Sequence, residues 1–589
     1  MKLINIKYII VVFFVTILSV SCTDEFEQMN TDPNKFLSPK PSLVFNGAVR
    51  ETYLHLGGYL NNEAFLTYAG YIGQRGGSLG NFSYEDARVN TMYQRCYTDV
   101  IVTLQTFIDD YKDDPKFSNR VEMAKIWNTY IYSVLVATFG PIHYSDAIGT
   151  ELVVAYDSEK EVYTELLETL KQASINLNVA GDKFVVDPVY NGNISQWIKF
   201  CNSLRLKLAL RISGSSDMSE LADSHLSDVM LKEQEMLETN VDNVVLIGEA
   251  SNVLNWSYAY DKFIFNTGVT ISQIPMANFH FLLNLRTFSD PRLEAYHDVA
   301  KDSLTIEDVL LKSGSATETI NVSYKIPYYG KTISGTSTLG EWGLDSSDNP
   351  YQGLADDVYS RPNFEKFFAE DAQFDVITAA ETYFMKAEAK LLGYSGSESV
   401  ESYYYKGIET SFEHYGLSSD VAAYKEIDGV KWGTSNPGIR DIFNVIDSSI
   451  SADPLDQIVR QRWFAMFYQG LDGWCLNRRT RLIPTQPHYN PDNTQTARTT
   501  VYAEVPERLV FPPSEKGTNT SNYEEAVALL GGIDDLITPL KINTFYERIP
   551  SPETILDAEY NYDFASGWYG DSEDDLIAKG INYDIIILE

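Results

Sequence analysis

Gly76-Gly77-Ser78-Leu79-Gly80 fits the spacing of a nucleophile elbow, the turn that lifts a catalytic serine between a strand and a helix. Its surroundings do not suit that role. A helical period ends near Gln74 and the polar run Asn81 to Arg88 follows, so neither the strand nor the helix is in place, and no active serine is expected. The histidines, His55, His143, His225, His280, His297, His414 and His488, are isolated, with no HExxH string and no two of them at ligand spacing on a helix. No catalytic metal is predicted. The 82 Asp and Glu residues offer no way to single out a glycosidase-type carboxylate pair, and no P-loop or dinucleotide fingerprint accompanies a βαβ pattern. The chemistry expected of this chain is therefore binding, not catalysis.

Binding a sugar or a peptide calls for flat aromatic faces on loops, with amides and acids nearby for the polar edges of the ligand. Three segments supply that pattern. Arg75, Asn81, Phe82 and Tyr84 sit beside flexible glycines; Asn255, Trp256, Tyr258 and Tyr260 form a second cluster; Tyr328, Tyr329, Trp342 and Tyr351 form a third. Arg75, Asn81, Phe82, Tyr84, Trp256, Tyr258, Trp342 and Tyr351 are the candidate ligand contacts, each in competition with packing against a scaffold. The loop acids leave room for a structural calcium, and no other cofactor is expected.

The scaffold that must carry these loops reads as mostly helical. Apolar residues recur at three- and four-residue spacing over 46–74, 89–111, 119–139, 159–177, 194–212 and 219–237. Ile377 to Leu392 and Val400 to Tyr415 form a further pair, with Gly393 suited to a C-cap and Ser397 to an N-cap. Ala380, Tyr383, Phe384, Ala387 and Leu391 alternate small and large on one face, as stacked hairpins of the tetratricopeptide type require. The repeats are divergent, mainly over 89–237 and 372–415, around one core. Loop-rich excursions are predicted at 312–362, with short strands, and at 422–453, and the tail 541–589 is irregular, acidic and Tyr-rich.

Lys2 and Lys7 precede an apolar run from Tyr8 to Val20, which at about 13 residues is too short to span a bilayer and reads as a secretory signal, residues 1–21. Leu18-Ser19-Val20-Ser21-Cys22 is a lipobox, so Cys22 is expected to carry lipid, followed by a tether over 22–45 and a single domain over 46–589. The lipid is the only membrane contact predicted. A formal charge of −36 argues against nucleic acid and against anionic lipid surfaces. Cys96, Cys201 and Cys475 are too widely spaced for a metal pair and read as buried small apolar residues.

Several strings, in order, carry a family likeness: Asn30-Thr31-Asp32-Pro33-Asn34, Phe139 to Ala147, Asp187 to Gly192, Trp197 to Leu206, Ser289 to Leu293, Ala387-Glu388-Ala389, Gln461-Arg462-Trp463, Trp474 with Arg478-Arg479-Thr480, and Phe511 to Glu515 with Asn519. Through them the chain resembles the SusD/RagB family of surface nutrient-binding lipoproteins, in its SusD-like branch. His143 departs from the small apolar or acidic residue expected at its place, and the tail runs past the usual end. The resemblance implies a SusD-like fold with a loop-rich, partly β ligand-facing portion, and an outer-membrane, lipid-anchored protein exposed at the cell surface. It further implies a partner, a SusC-like TonB-dependent transporter, to which captured oligosaccharides or peptides are delivered. A glycan receptor leads this reading. A peptide receptor, a surface glycosidase and a purely structural subunit are its rivals. In such a scaffold Arg205, Arg211 and Arg478 lie in otherwise apolar segments and call for carboxylate partners, of which Glu388 is one candidate.

Overall fold

The computed structural model describes residues 40–73, 86–149, 153–265, 275–300, 304–306, 309–313, 316–320, 324–326, 328, 359–438, 448–483, 505–536 and 538–543. Cys22 and most of the tether, the Gly76–Gly80 string, and nearly all of 541–589 lie outside them.

The first helix, α1, spans Pro41–Leu54. Proline is pre-set for a first helical position, and four residues on Phe45 is fully buried, stacked on Phe184 at 4.6 Å with Trp197 edge-on at 5.9 Å. Residues 41–45, assigned to the tether from their prolines, are therefore helix. The run continues through π-helical turns, His55–Phe65, to Tyr68. Next come α2 (Asp86–Arg95), π-helical turns at Cys96–Ile101, α3 (Val102–Tyr111), α4 (Ser118–Phe139), α5 (Glu159–Asn176), α6 (Ile194–Ile212) and α7 (Ser219–Val229). These match the periodic segments, except that α7 ends at Val229 and the rest of 219–237 continues as a 3-10 turn over Met230–Glu235. Ser158 and Glu161 form a capping box at α5, and Asn193 caps α6. The turn before α6 is held by buried Asp187, whose carboxylate accepts from the backbone N–H groups of Val189, Tyr190 and Gly192. Gly192 has φ +77, and a Cβ there would meet the Phe184 carbonyl.

Short antiparallel strand pairs punctuate the rest. β1 (Val244–Ile247) pairs with β8 (Gln373–Ile377); between them come β2 (His297–Asp298), β3 (Leu304–Ile306), β4 (Val309–Ser313), β5 (Ala316–Ile320), β6 (Tyr324–Ile326) and β7 (Arg361–Pro362), pairing as β2–β7, β3–β6 and β4–β5. Strands were expected in the 312–362 excursion; the nested β3–β6 and β4–β5 pairs begin before it. Residues 373–377, grouped with the repeat helices from sequence, are strand β8. The remaining helices are α8 (Phe279–Thr287), α9 (Arg292–Tyr296), α10 (Phe364–Phe367), α11 (Ala379–Leu391), α12 (Val400–His414), α13 (Val421–Tyr424), α14 (Pro454–Ala465), α15 (Gly470–Thr480), α16 (Pro513–Thr518) and α17 (Thr520–Leu529).

Consecutive helices pack side by side in α4–α5, α5–α6, α6–α7 and α11–α12. In α11, Ala380, Phe384 and Ala387 are buried, while Tyr383 is half-buried and Leu391 is exposed. Gly407 of α12 faces Phe384 so closely that a Cβ would lie 2.7 Å from the ring, the small-against-large contact the sequence pattern predicts. Gly393 follows α11 with φ +99 as the C-cap pattern requires. The N-cap of α12 is Ser399, not Ser397: Ser399 accepts from Ser402 N–H, and the Ser397 N–H is taken by Glu233.

The core holds a buried ladder of charges. Glu388 pairs with Arg479 (2.5 Å) and Arg462 (3.3 Å), Arg462 with Glu381 (2.9 Å), Glu381 with Lys207 (3.0 Å), Lys207 with Asp472 (2.9 Å), and Asp472 with Arg211 (3.0 Å). The ladder ties α11, α14 and α15 to α6. Arg205 pairs with Asp228 at 2.5 Å. Arg478 corrects the expectation of a carboxylate partner: it donates to the carbonyls of Glu507 and Ala137 and lies 3.6 Å over the Trp474 ring. Burial lowers its pKa. Cys96, Cys201 and Cys475 are buried free thiols.

His143, the departure from the family pattern, has both ring nitrogens facing acceptors, the Ala155 carbonyl at 2.9 Å and Glu515 at 3.1 Å, and Tyr156 donates to the same Glu515 oxygen at 3.0 Å. Burial alone would raise the Glu515 pKa, but the hydrogen bonds from His143, Asn519 and Tyr156 and the His143 charge hold it below its ordinary 4.5. A carboxylate with a depressed folded pKa contributes stability above its unfolded value and loses it as pH falls through the folded one. Denaturant midpoints of wild type and Glu515→Gln are expected to differ at neutral pH, with the difference shrinking as pH falls below the unfolded carboxylate value of about 4.3; curves that stay parallel would show that the carboxylate's charge contributes nothing here.

Candidate functional site

The segment Ala369–Ala372, leading into β8, has binding-type surface on both sides. It is clamped in place by three hydrogen bonds to its carbonyls: Tyr53 OH to Ala372 at 2.7 Å, Ser257 N–H to Glu370 at 2.7 Å and Ser257 Oγ to Ala369 at 2.6 Å. Residues from α1, from the loop after β1 and from the β8 approach thus converge.

On one side lies the Trp256 cluster. Asn252 caps a helical turn, Val253–Asn255, and Trp256 follows, with Nε1 donating to the Ala250 carbonyl at 3.0 Å. Tyr260 and Phe265 meet the Trp256 ring edge-on, each with centroids 5.0 Å away. Trp256 and Tyr260 are half-buried and Phe265 is 56% exposed, which leaves aromatic surface open to a ligand. Tyr258 is turned the other way, with its Cβ 3.3 Å from where a Cβ on Gly58 would stand and its ring against Phe263 at 6.3 Å. Asn255 is committed to Arg50 and Glu249. Of the eight sequence candidates, Trp256 and Tyr258 are thus brought to one loop facing different ways, and Arg75, Asn81, Phe82, Tyr84, Trp342 and Tyr351 lie outside the described residues.

On the other side is a cavity of about 380 Å³, bounded by Ile247, Lys366, Phe367, Asp371, Gln373, Asp375, His414, Tyr415, Phe467 and Tyr468. Its aromatic wall is layered. Phe367 stacks on Tyr468 at 4.3 Å, Tyr296 stacks on Phe467 at 4.5 Å, and Tyr415 meets Tyr296 edge-on at 4.8 Å. Tyr468 holds φ +72, an unusual conformation for a large residue, where the chain reverses between α14 and α15. Lys366 places its ammonium 4.9 Å over the Tyr415 ring. His414 lies 4.0 Å from Asp375, whose carboxyl burial raises in pKa against the opposing charge of His414. Phe367, Phe467 and Tyr296 are buried, so the wall presents parts of the half-buried Tyr415 and Tyr468 rings beside carboxylate, amide and ammonium groups, as edge recognition of a polar ligand demands.

Sequence reasoning missed this cavity. Its lining comes from four stretches of chain, around 247, 365–375, 414–415 and 467–468, far apart in sequence.

The SusD-like family, described as Susd and RagB outer membrane lipoprotein, matches residues 23–542. No match is found among curated proteins. Solved structures of similar fold include a chitin-binding SusD homologue from Flavobacterium johnsoniae (TM-score 0.64, 20% identity, 85% of this chain and 98% of that one). A SusD homologue from Bacteroides uniformis gives TM-score 0.64 at 21% identity, covering 85% and 98%. A SusD-like protein from Bacteroides thetaiotaomicron gives 0.62 at 21%, covering 87% and 100%. Among the described residues no helix is long and apolar enough to cross a membrane. The match over nearly the whole chain and the shared helical fold lead to one statement: this chain belongs to the SusD/RagB family of outer-membrane lipoproteins.

Proposed function

We propose that the protein is a non-catalytic receptor at the cell surface that binds oligosaccharides along the Ala369–Ala372 segment and delivers them to a SusC-like TonB-dependent transporter. The observation that carries this is an open aromatic cluster at Trp256 and, bordering the same clamped segment, a cavity in which the half-buried Tyr415 and Tyr468 are accompanied by carboxylates. Sugar rings present apolar C–H faces for stacking and hydroxyl edges for acids and amides, and this wall supplies both. The family places the protein at the outer membrane, and one relative of like fold is described as chitin-binding.

Calorimetric titration against a panel of glycans should find a ligand, and Trp256→Ala should weaken it by about tenfold, the effect of truncating one aromatic contact worth about 1.4 kcal/mol. Unchanged affinity in Trp256→Ala and Tyr415→Ala for every glycan bound would remove this surface from the reading. Binding of oligopeptides and no glycan would make the ligand class peptide; release of cleaved sugar by the purified protein would make it an enzyme.

A further inference from the structure

Glu51, His55 and Asp99 place one ligand atom each within 4.8 Å of one another. We infer that these three side chains form a site for a divalent transition ion such as zinc, clipping α1 to the helix that leads into α3. Glu51 and His55 are four residues apart at the C-terminal end of α1, so one helical turn brings them to the same face. Asp99 comes from the facing π-helical turns.

The spacing fits. His55 Nε2 lies 3.2 Å from Glu51 Oε2 and 3.6 Å from Asp99 Oδ2. A four-coordinate zinc with bonds of about 2.0–2.1 Å sets its ligand atoms about 3.3–3.4 Å apart. One imidazole and two carboxylates suit that ion, and the fourth position is left for water. His55 Nε2 is shielded from solvent and makes no well-aligned hydrogen bond to either carboxylate, although it points between them. An ion bound there would replace its ion-pair contacts with the two carboxylates by a direct bond.

The surroundings supply the remaining requirements. The second Glu51 oxygen is held by Arg50 at 2.9 Å, and Thr98 Oγ1 donates to the second Asp99 oxygen at 2.7 Å, so both carboxylates are oriented. Arg95 shares the Asp99 oxygen that faces His55, at 2.8 Å; its side chain is 52% exposed, and it is the contact an incoming cation displaces. Glu51 and Asp99 also line a cleft of about 610 Å³ between α1 and α3, which gives the ion a path from solvent. A scan for paired histidines passes over this site because only one of its ligands is a histidine.

Cobalt(II) is the probe. The full-length protein, treated with chelator and then titrated with cobalt, is expected to bind one ion per chain with the intense visible absorption of a low-coordinate site, displaced by zinc. His55→Gln, which keeps a polar side chain of similar reach, should weaken binding by about 100-fold or more and abolish the zinc-induced rise in Tm, while Arg95→Gln should strengthen binding. Folding of each variant is checked by far-UV circular dichroism. Absence of saturable cobalt or zinc binding up to millimolar concentration, or binding that His55→Gln leaves unchanged, overturns the site.

Discussion

Replacing Glu388 with Ala is expected to cost the fold about 3–5 kcal/mol. Glu388 is 1% exposed and is the carboxylate shared by Arg479 and Arg462, both buried. Arg462 retains Glu381 after the change. Arg479 keeps a buried positive charge and, among the described residues, has no other carboxylate at ion-pair distance, which is why the loss exceeds that of an ordinary hydrogen bond. Urea unfolding followed by far-UV circular dichroism measures it. A loss under about 1 kcal/mol would mean that water enters and solvates Arg479 in place of the carboxylate. A double change, Glu388→Leu with Arg479→Met, should recover part of the loss, since it removes the stranded charge as well as its partner.

Gly470→Ala is the second large effect, about 3 kcal/mol, at the upper end of overpacking costs. A Cβ on Gly470 would stand 2.6 Å from Leu66 N and from Phe65 C, both backbone atoms, and 2.9 Å from Asn61 Oδ1. Backbone cannot step aside as a side chain can. The same Asn61 oxygen accepts the Gly470 N–H at 2.8 Å, and Asn61 Nδ2 donates to the Tyr468 carbonyl at 3.0 Å, so the added methyl also disturbs the chain reversal that presents Tyr468 to the cavity. Thermal unfolding of Gly470→Ala beside Gly517→Ala isolates the clash, because a methyl on Gly517 would meet nothing within 4 Å. Equal Tm values for the two variants would show that α15 shifts without penalty.

The helices were legible because their signals are local: a stripe every three or four residues, closed by Ser158, Asn193 or Gly393. Strand β1, Val244–Ile247, was not, since four apolar residues fit a helix end as well as a strand and only its pairing with Gln373–Ile377, far along the chain, decides. Arg478 shows the same limit. Its type and apolar surroundings demanded a partner, but that the partner is two carbonyls and an indole face depends on how residues 137 and 507 arrive. The candidate site was half readable: Trp256 stood out as an aromatic on a loop, whereas the cavity beside it exists only once α10, α12 and the Phe467-Tyr468 turn meet.

The depth at which α1 begins has a mechanical consequence. Lipid-borne load on this protein would enter through Lys40 and run along the axis of α1, where Phe45, wedged between Phe184 and Trp197, takes it in shear within the first turns. The first turns of α1 are thus part of the hydrophobic core and not a peripheral hinge. Tension strong enough to draw α1 away from the body would have to break that packing first.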